Sequence, residues 1–159
     1  MTTYFHLAPL KLEIGSIILP GNWGRIVRLC GTGHARWNNE LVLENRRVAL
    51  DPALPSRLDC CFVCPSEKIA RDYRSLQAVK SAPGGWQVLY EVEKVNTEAR
   101  EHRTDYNLVE PLPALGLSID QVAERYWEGK MRISIQGHPT VVCEEVLMVS
   151  PLRVLGCLD

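Results

Sequence analysis

The chain has 159 residues, 46% of them hydrophobic and 23% charged, with a formal net charge of -1. That length and balance are those of a globular protein and predict a single domain, residues 1–159, with its own core. The near-neutral charge excludes a global pull toward nucleic acid or anionic membranes, and no apolar run approaches the roughly 20 residues of a membrane span. The opening Met1-Thr-Thr-Tyr-Phe-His6 lacks a charged segment followed by an apolar one, so a cytoplasmic protein is expected, with export by a route that needs no such signal as the alternative.

Tyr4 to Ala8 reads as a short apolar strand with His6 in its middle, ended by Pro9. Lys11 to Gly15 is a turn or short helix, and Ser16 to Leu19 a second strand stopped by Pro20-Gly21. Asn22-Trp23-Gly24-Arg25 reads as a loop whose glycines let the backbone approach something closely. From Trp37 to Leu50, the spacing of Trp37, Leu41, Val42, Val48 and Ala49 fits one face of a helix, broken by Asp51-Pro52. Asp59 to Cys64 is an apolar strand. Ser66 is placed to cap a helix on which Ile69, Ala70, Tyr73 and Leu76 recur. Pro83-Gly84-Gly85 is a turn. Trp86 to Val95 alternates as a strand, with Trp86, Val88, Tyr90 and Val92 on one face. Asn96 to Gly116 is polar and broken by Pro111 and Pro113, as in a long surface loop. Ser118 and Gln121 form a capping box for a short helix to about Glu128. Met131 to Val149 reads as a hairpin turning at Gly137-His-Pro139, and Leu152 to Leu155 as a last strand.

Six or seven short strands and about three helices, not strictly alternating, predict an α+β fold with a largely antiparallel sheet. The six cysteines are Cys30, Cys60, Cys61, Cys64, Cys143 and Cys157. Only Cys61 and Cys64 have C-x-x-C spacing, and a structural zinc site needs four ligands. No metal is expected, and the thiols read as small buried hydrophobes.

The run Val141-Val-Cys-Glu-Glu-Val-Leu-Met-Val149 is a strand carrying two adjacent carboxylates. Successive side chains on a strand point to opposite faces. Glu144 and Glu145 therefore face different sides, and one of them is directed toward a wall or cleft, where a carboxylate must be paired, neutralised or used. Taken singly, His6, Phe62 and Tyr73 read as core residues and Trp23 as a packed turn residue.

Their order carries more. A strand histidine, a glycine-flanked loop, a strand-turn-helix with spaced aromatics and a glutamate opening a late Val/Leu strand together resemble the ADP-ribosyltransferase superfamily, in which the order is His, aromatic, Glu. Phe5-His-Leu-Ala8 and Ile14 to Gly21 look like the opening of the rifampin-type members. Phe62 to Tyr73 resembles the family's aromatic strand and following helix, and Glu144-Glu-Val-Leu-Met-Val149 its Glu-bearing strand. The likeness is to a bacterial branch and spans most of the chain, except residues 96–137.

The resemblance implies an ADP-ribosyltransferase-like split antiparallel sheet and NAD⁺ as substrate, with cleavage of its nicotinamide-ribose bond. On that reading Glu145, directly before Val146-Leu147, stabilises the positive charge that develops on the ribose, with Glu144 as the fallback. His6 donates a hydrogen bond to the ribose of the adenosine side and the Leu7 backbone holds the nicotinamide amide. Phe62 or Tyr73 stacks on the nicotinamide ring. Trp23 lies on the binding loop, Arg25 pairs with the pyrophosphate, and Arg57 is a further candidate at the cleft. Phe62 stands where the family usually has Tyr, and Leu7 where many members have Gly. The expected activity is transfer of ADP-ribose to an acceptor that is a protein, a nucleic acid or a small molecule. The alternatives are a toxin that hydrolyses NAD⁺, an inert binding module on the same fold, and a small zinc module on Cys61 and Cys64.

Overall fold

A computed structural model describes residues 2–80, 87–130 and 143–159. Over those residues the chain runs β1 (Thr3–Ala8), β2 (Ile17–Ile18), α1 (Asn22–Cys30), α2 (Trp37–Leu50), β3 (Cys61–Val63), α3 (Glu67–Lys80), β4 (Val88–Lys94), β5 (Glu101–Asp105), α4 (Ile119–Trp127), β6 (Glu144–Met148) and β7 (Leu152–Cys157). The fold is α+β, and every strand pair is antiparallel. No helix among these residues is long and apolar enough to cross a membrane.

The strands form two sheets, one ordered β1-β4-β7-β2 and the other β3-β6-β5. They meet at one point, where Phe5 and Cys64 exchange both backbone hydrogen bonds (3.0 and 2.7 Å). Two apolar clusters lie on either side of the smaller sheet. Alternation along β6 sends Val146 and Met148 into one, with Tyr4, Val63, Tyr90 and Val92. It sends Leu147 into the other, with Leu43, Cys60, Val122, Tyr126 and Trp127 of the helical layer.

Three expectations change. Asn22 to Arg25 is not a loop but the start of α1, so the described residues hold four α-helices rather than about three. The inference of a close approach stands: a Cβ on Gly24 would lie 1.8 Å from the Leu58 carbonyl oxygen. On α2 the buried residues are Glu40, Leu43 and Arg47, while the expected face residues Leu41, Val48 and Ala49 are exposed. Apolar spacing misled there because the two buried charged residues are both paired. The polar stretch after Asn96 contains β5, which is the third strand of the smaller sheet. Its inward His102 and Thr104 donate to the Tyr126 carbonyl at the end of α4, at 2.9 and 2.8 Å. The capping box opens α4, with both reciprocal bonds made. Of the expected hairpin, residues 131–142 lie outside the described residues, as does Trp86, and β6 is its second strand.

Candidate functional site

The two sheets part just beyond the Phe5–Cys64 bridge. Extending that pairing would set Leu7 opposite Phe62. Instead the His6 ring donates through Nδ1 to the Phe62 carbonyl at 2.8 Å. Alternate residues of an antiparallel strand turn their N–H and C=O to the same neighbour. Leu7 therefore aims both groups toward β3, as Phe5 does, and neither meets a backbone partner among the described residues. Burial lowers the His6 pKa, with the bond to the Phe62 carbonyl opposing. The ring is thus neutral at physiological pH, with its proton on Nδ1 and Nε2 left as an acceptor.

Glu145 follows Leu147 onto the helical side of β6. There it joins a buried cluster built from four elements. Arg57, on the turn before β3, holds its Nη1 2.6 Å from Glu145 and 2.5 Å from the Tyr126 hydroxyl on α4. Its Nε and Nη2 donate to Glu40 on α2 at 3.1 to 3.2 Å. The Tyr126 hydroxyl in turn meets Glu145 at 2.5 Å, and the Trp23 indole on α1 donates to Glu40 at 2.9 Å. The guanidinium also lies over two rings, 4.8 Å from the centroid of Phe62 and 5.2 Å from that of Tyr126. The arrangement requires Gly24, since its missing Cβ lets α1 sit on the Leu58 backbone and brings Trp23 to Glu40.

One guanidinium serves two carboxylates. Burial raises the Glu145 pKa, Arg57 pulls it back, Glu40 adds to the rise, and the net direction is up. Arg57 stays charged, because Tyr126, Glu145 and Glu40 outweigh the burial that would lower it. The cluster thus carries one more negative charge than positive whenever both carboxylates are ionised.

Tyr73 stands near the same carboxylate. Burial raises its pKa, Tyr106 and Glu145 adding to the rise. Its ring packs edge-on against Tyr106, with centroids 4.9 Å apart. Arg36 closes this side, with Nη2 3.1 Å from the Tyr106 hydroxyl and 2.5 Å from Glu110.

The structure thus gathers Glu145, Arg57, Phe62 and, through Glu40, Trp23, with Tyr73 beside them. His6 reaches Phe62 through its backbone. Two expected residues are not brought in. Arg25 is exposed on α1 and bonds Asn22 of its own turn. Glu144, the fallback carboxylate, points to the opposite face and pairs with Arg103 at 3.5 Å. Three contributors were absent from the sequence reading. Glu40 sits in a helix whose apolar spacing points elsewhere, and Tyr126 and Tyr106 have no motif around them. Among the described residues no group of three or more His, Cys, Asp or Glu could hold a metal ion. Burial pushes the thiols of Cys61 and Cys64 up to about 12, opposite to what a thiolate ligand needs.

The family described as protein of unknown function DUF2441 matches residues 22–151. The chain belongs to that family. The matched span holds every member of the buried cluster and leaves out β1 with His6. No curated protein matches the chain.

Proposed function

We propose that the chain is an NAD⁺-dependent mono-ADP-ribosyltransferase whose site is where the pairing of β1 with β3 ends. The observation that carries this reading is the state of Leu7. An N–H and a C=O on one residue, neither with a backbone partner among the described residues, form a donor-acceptor pair matched to a carboxamide, and they are directed toward the Phe62 strand. The split antiparallel sheet and the order His6, Phe62, Tyr73, Glu145 support it further.

In this reading the nicotinamide amide pairs with the Leu7 backbone and its ring stacks on an aromatic face. His6 Nε2 accepts from a ribose hydroxyl, a reversal of the donor role expected from sequence, because Phe62 already takes the ring proton. Nicotinamide leaves with the electron pair of the C1′–N bond. The ribose carbon becomes oxocarbenium-like, and Glu145 stabilises that charge from a water-poor position. The acceptor then attacks the same carbon and gives up a proton. Hydrolysis differs only in using water as the acceptor.

Purified protein is incubated with NAD⁺ and an acceptor-containing lysate, wild type beside Glu145→Gln, and nicotinamide release is followed. Release that the variant loses supports the reading, and accumulation of free ADP-ribose without an acceptor marks a hydrolase. No release from either sinks the catalytic claim. A second reading, an inert module on this fold, has one specific observation behind it: Arg57 holds Glu145 and covers Phe62.

A further inference from the structure

We propose that the Arg57 guanidinium is a built-in occupant of the nicotinamide subsite, and that NAD⁺ enters by displacing it. The proposal rests on the NAD⁺ reading above. It also explains why the carboxylate and the aromatic face that this reading needs are both covered.

Arg57 makes two kinds of contact. Its Nη1 touches Glu145 and the Tyr126 hydroxyl, and its Cζ lies over two rings, 4.8 Å from the centroid of Phe62 and 5.2 Å from that of Tyr126. These are the contacts that a flat, positively charged ring would make at the same place: a cation against an aromatic face and a positive charge beside a carboxylate. The nicotinamide of NAD⁺ is such a ring. The incoming ring brings a positive charge to Glu145 while Arg57 stays on Glu40, so each carboxylate keeps a counter-charge and the excess negative charge of the cluster is met.

The other edge of Arg57 supplies the pivot. Nε and Nη2 are held by Glu40, which is fixed by the Trp23 indole. The guanidinium can tilt off Phe62 and Glu145 while keeping these bonds. The backbone stays in place, because the Leu58 carbonyl is packed against Gly24. The hinge is thus the Arg57 side chain alone, with Tyr126 and Glu145 as the latch. A site that must first release its own cation binds more weakly, by the fraction of molecules in which it is open. The assignment adds Tyr126 of α4 as a second ring beside the site, with its centroid 5.2 Å from the Arg57 Cζ.

Two measurements test this. In ¹⁵N-labelled wild type, the Arg57 side-chain N–H signals are assigned by their absence in Arg57→Lys, and NAD⁺ is added. The expected result is that the Nη1 protons lose protection from exchange while Nε–H, held by Glu40, keeps it. In parallel, NAD⁺ affinity is measured by calorimetry for wild type and Arg57→Lys. Lysine keeps the charge but cannot lie flat on a ring or bridge both carboxylates, so the variant is expected to bind NAD⁺ severalfold more tightly. NAD⁺ binding that leaves every Arg57 signal unmoved overturns the displacement and leaves the NAD⁺ reading standing. So does weaker binding by a folded Arg57→Lys. Absence of NAD⁺ binding by both proteins overturns the two together. If Arg57→Lys does not fold, the wild-type exchange measurement decides alone, with Arg57 identified by its bonds to Glu40 through selective labelling.

Discussion

Replacing Gly24 with alanine tests how α1 is seated on the rest of the molecule. The new Cβ would lie 1.8 Å from the Leu58 carbonyl oxygen, 2.6 Å from its carbonyl carbon and 2.8 Å from its Cα. All three are backbone atoms, so no side-chain rotation relieves the clash. Reaching ordinary contact requires α1 and the turn carrying Leu58 to separate by roughly 1.5 Å or more. Overpacking of this kind costs about 1–3 kcal/mol, and a rigid backbone neighbour puts the cost at the upper end. Alanine returns about 1 kcal/mol of helix propensity. Lifting α1 also weakens the Trp23 bond to the buried Glu40 carboxylate, worth about 1.5–3 kcal/mol as a bond to a charged group. The expected net loss is about 3 kcal/mol, and for a domain of this size roughly 6–12 °C in Tm. The assay is urea denaturation followed by circular dichroism, with Gly33→Ala as control. Gly33 has nothing within 4 Å of its Cβ position and no positive φ, so the control is expected to be neutral or slightly stabilising. Equal midpoints for the two variants would refute the seating of α1 on Leu58 and, with it, the account of how Trp23 reaches Glu40.

Arg57→Met leaves Glu40 and Glu145 buried without their cation. It is expected to cost about 3–5 kcal/mol, most of which returns when Glu40→Gln and Glu145→Gln are added, as read from denaturation midpoints of the single and triple variants. The pH dependence of stability splits in two. Glu145 is raised in the folded state, so its contribution is present below about pH 4.5 and lost as pH rises through its folded value. Glu145→Gln is therefore expected to cost more near pH 4.5 than at neutral pH. Glu44 is the reverse. Burial raises it, but Arg47 and Ser56 together bring it below its ordinary value. Its contribution is present above about pH 4.5 and lost as pH falls through the depressed folded value, so Glu44→Gln is expected to flatten the acid limb that wild type shows in denaturant melts.

Some of this was legible in the residues and some was not. The Ser118–Gln121 box opens α4 because capping is local, decided within four residues. The opposite facing of Glu144 and Glu145 follows from strand geometry alone, and the structure adds which of them is buried against Arg57. Strand β5 was invisible to apolar patterning. Glu-His-Arg-Thr-Asp has no apolar residue, and its inward side chains are satisfied by a carbonyl at the end of a helix that starts fourteen residues after the strand ends. The buried face of α2 was misread for a related reason. Glu40 and Arg47 look like solvated positions until Arg57 and Glu44 are seen beside them. Helix α1 looked like a loop because its two flanking glycines carry different tasks. Gly21, at φ 85°, ends the preceding turn in the left-handed region, while Gly24 sits inside the helix for lack of room.

The composition of the buried cluster bears on whether it serves only the fold. A buried ion pair rarely stabilises a protein more than well-packed apolar residues of similar size, so two carboxylates on one guanidinium are a poor device for stability alone. Their excess negative charge has to be met by a proton or by a further cation. The raised pKa of Glu145 is the first of these. A positively charged ligand is the second, and a carbon that becomes positive during bond cleavage gains most from such an environment, because the carboxylate is already stripped of water before the charge appears. A purely structural cluster would gain nothing from its place beside the parting of the two sheets, where the Leu7 donor and acceptor have no backbone partner among the described residues. On the proposed reading, the charge imbalance and the Leu7 backbone groups are the two features that an amide-bearing cation would use.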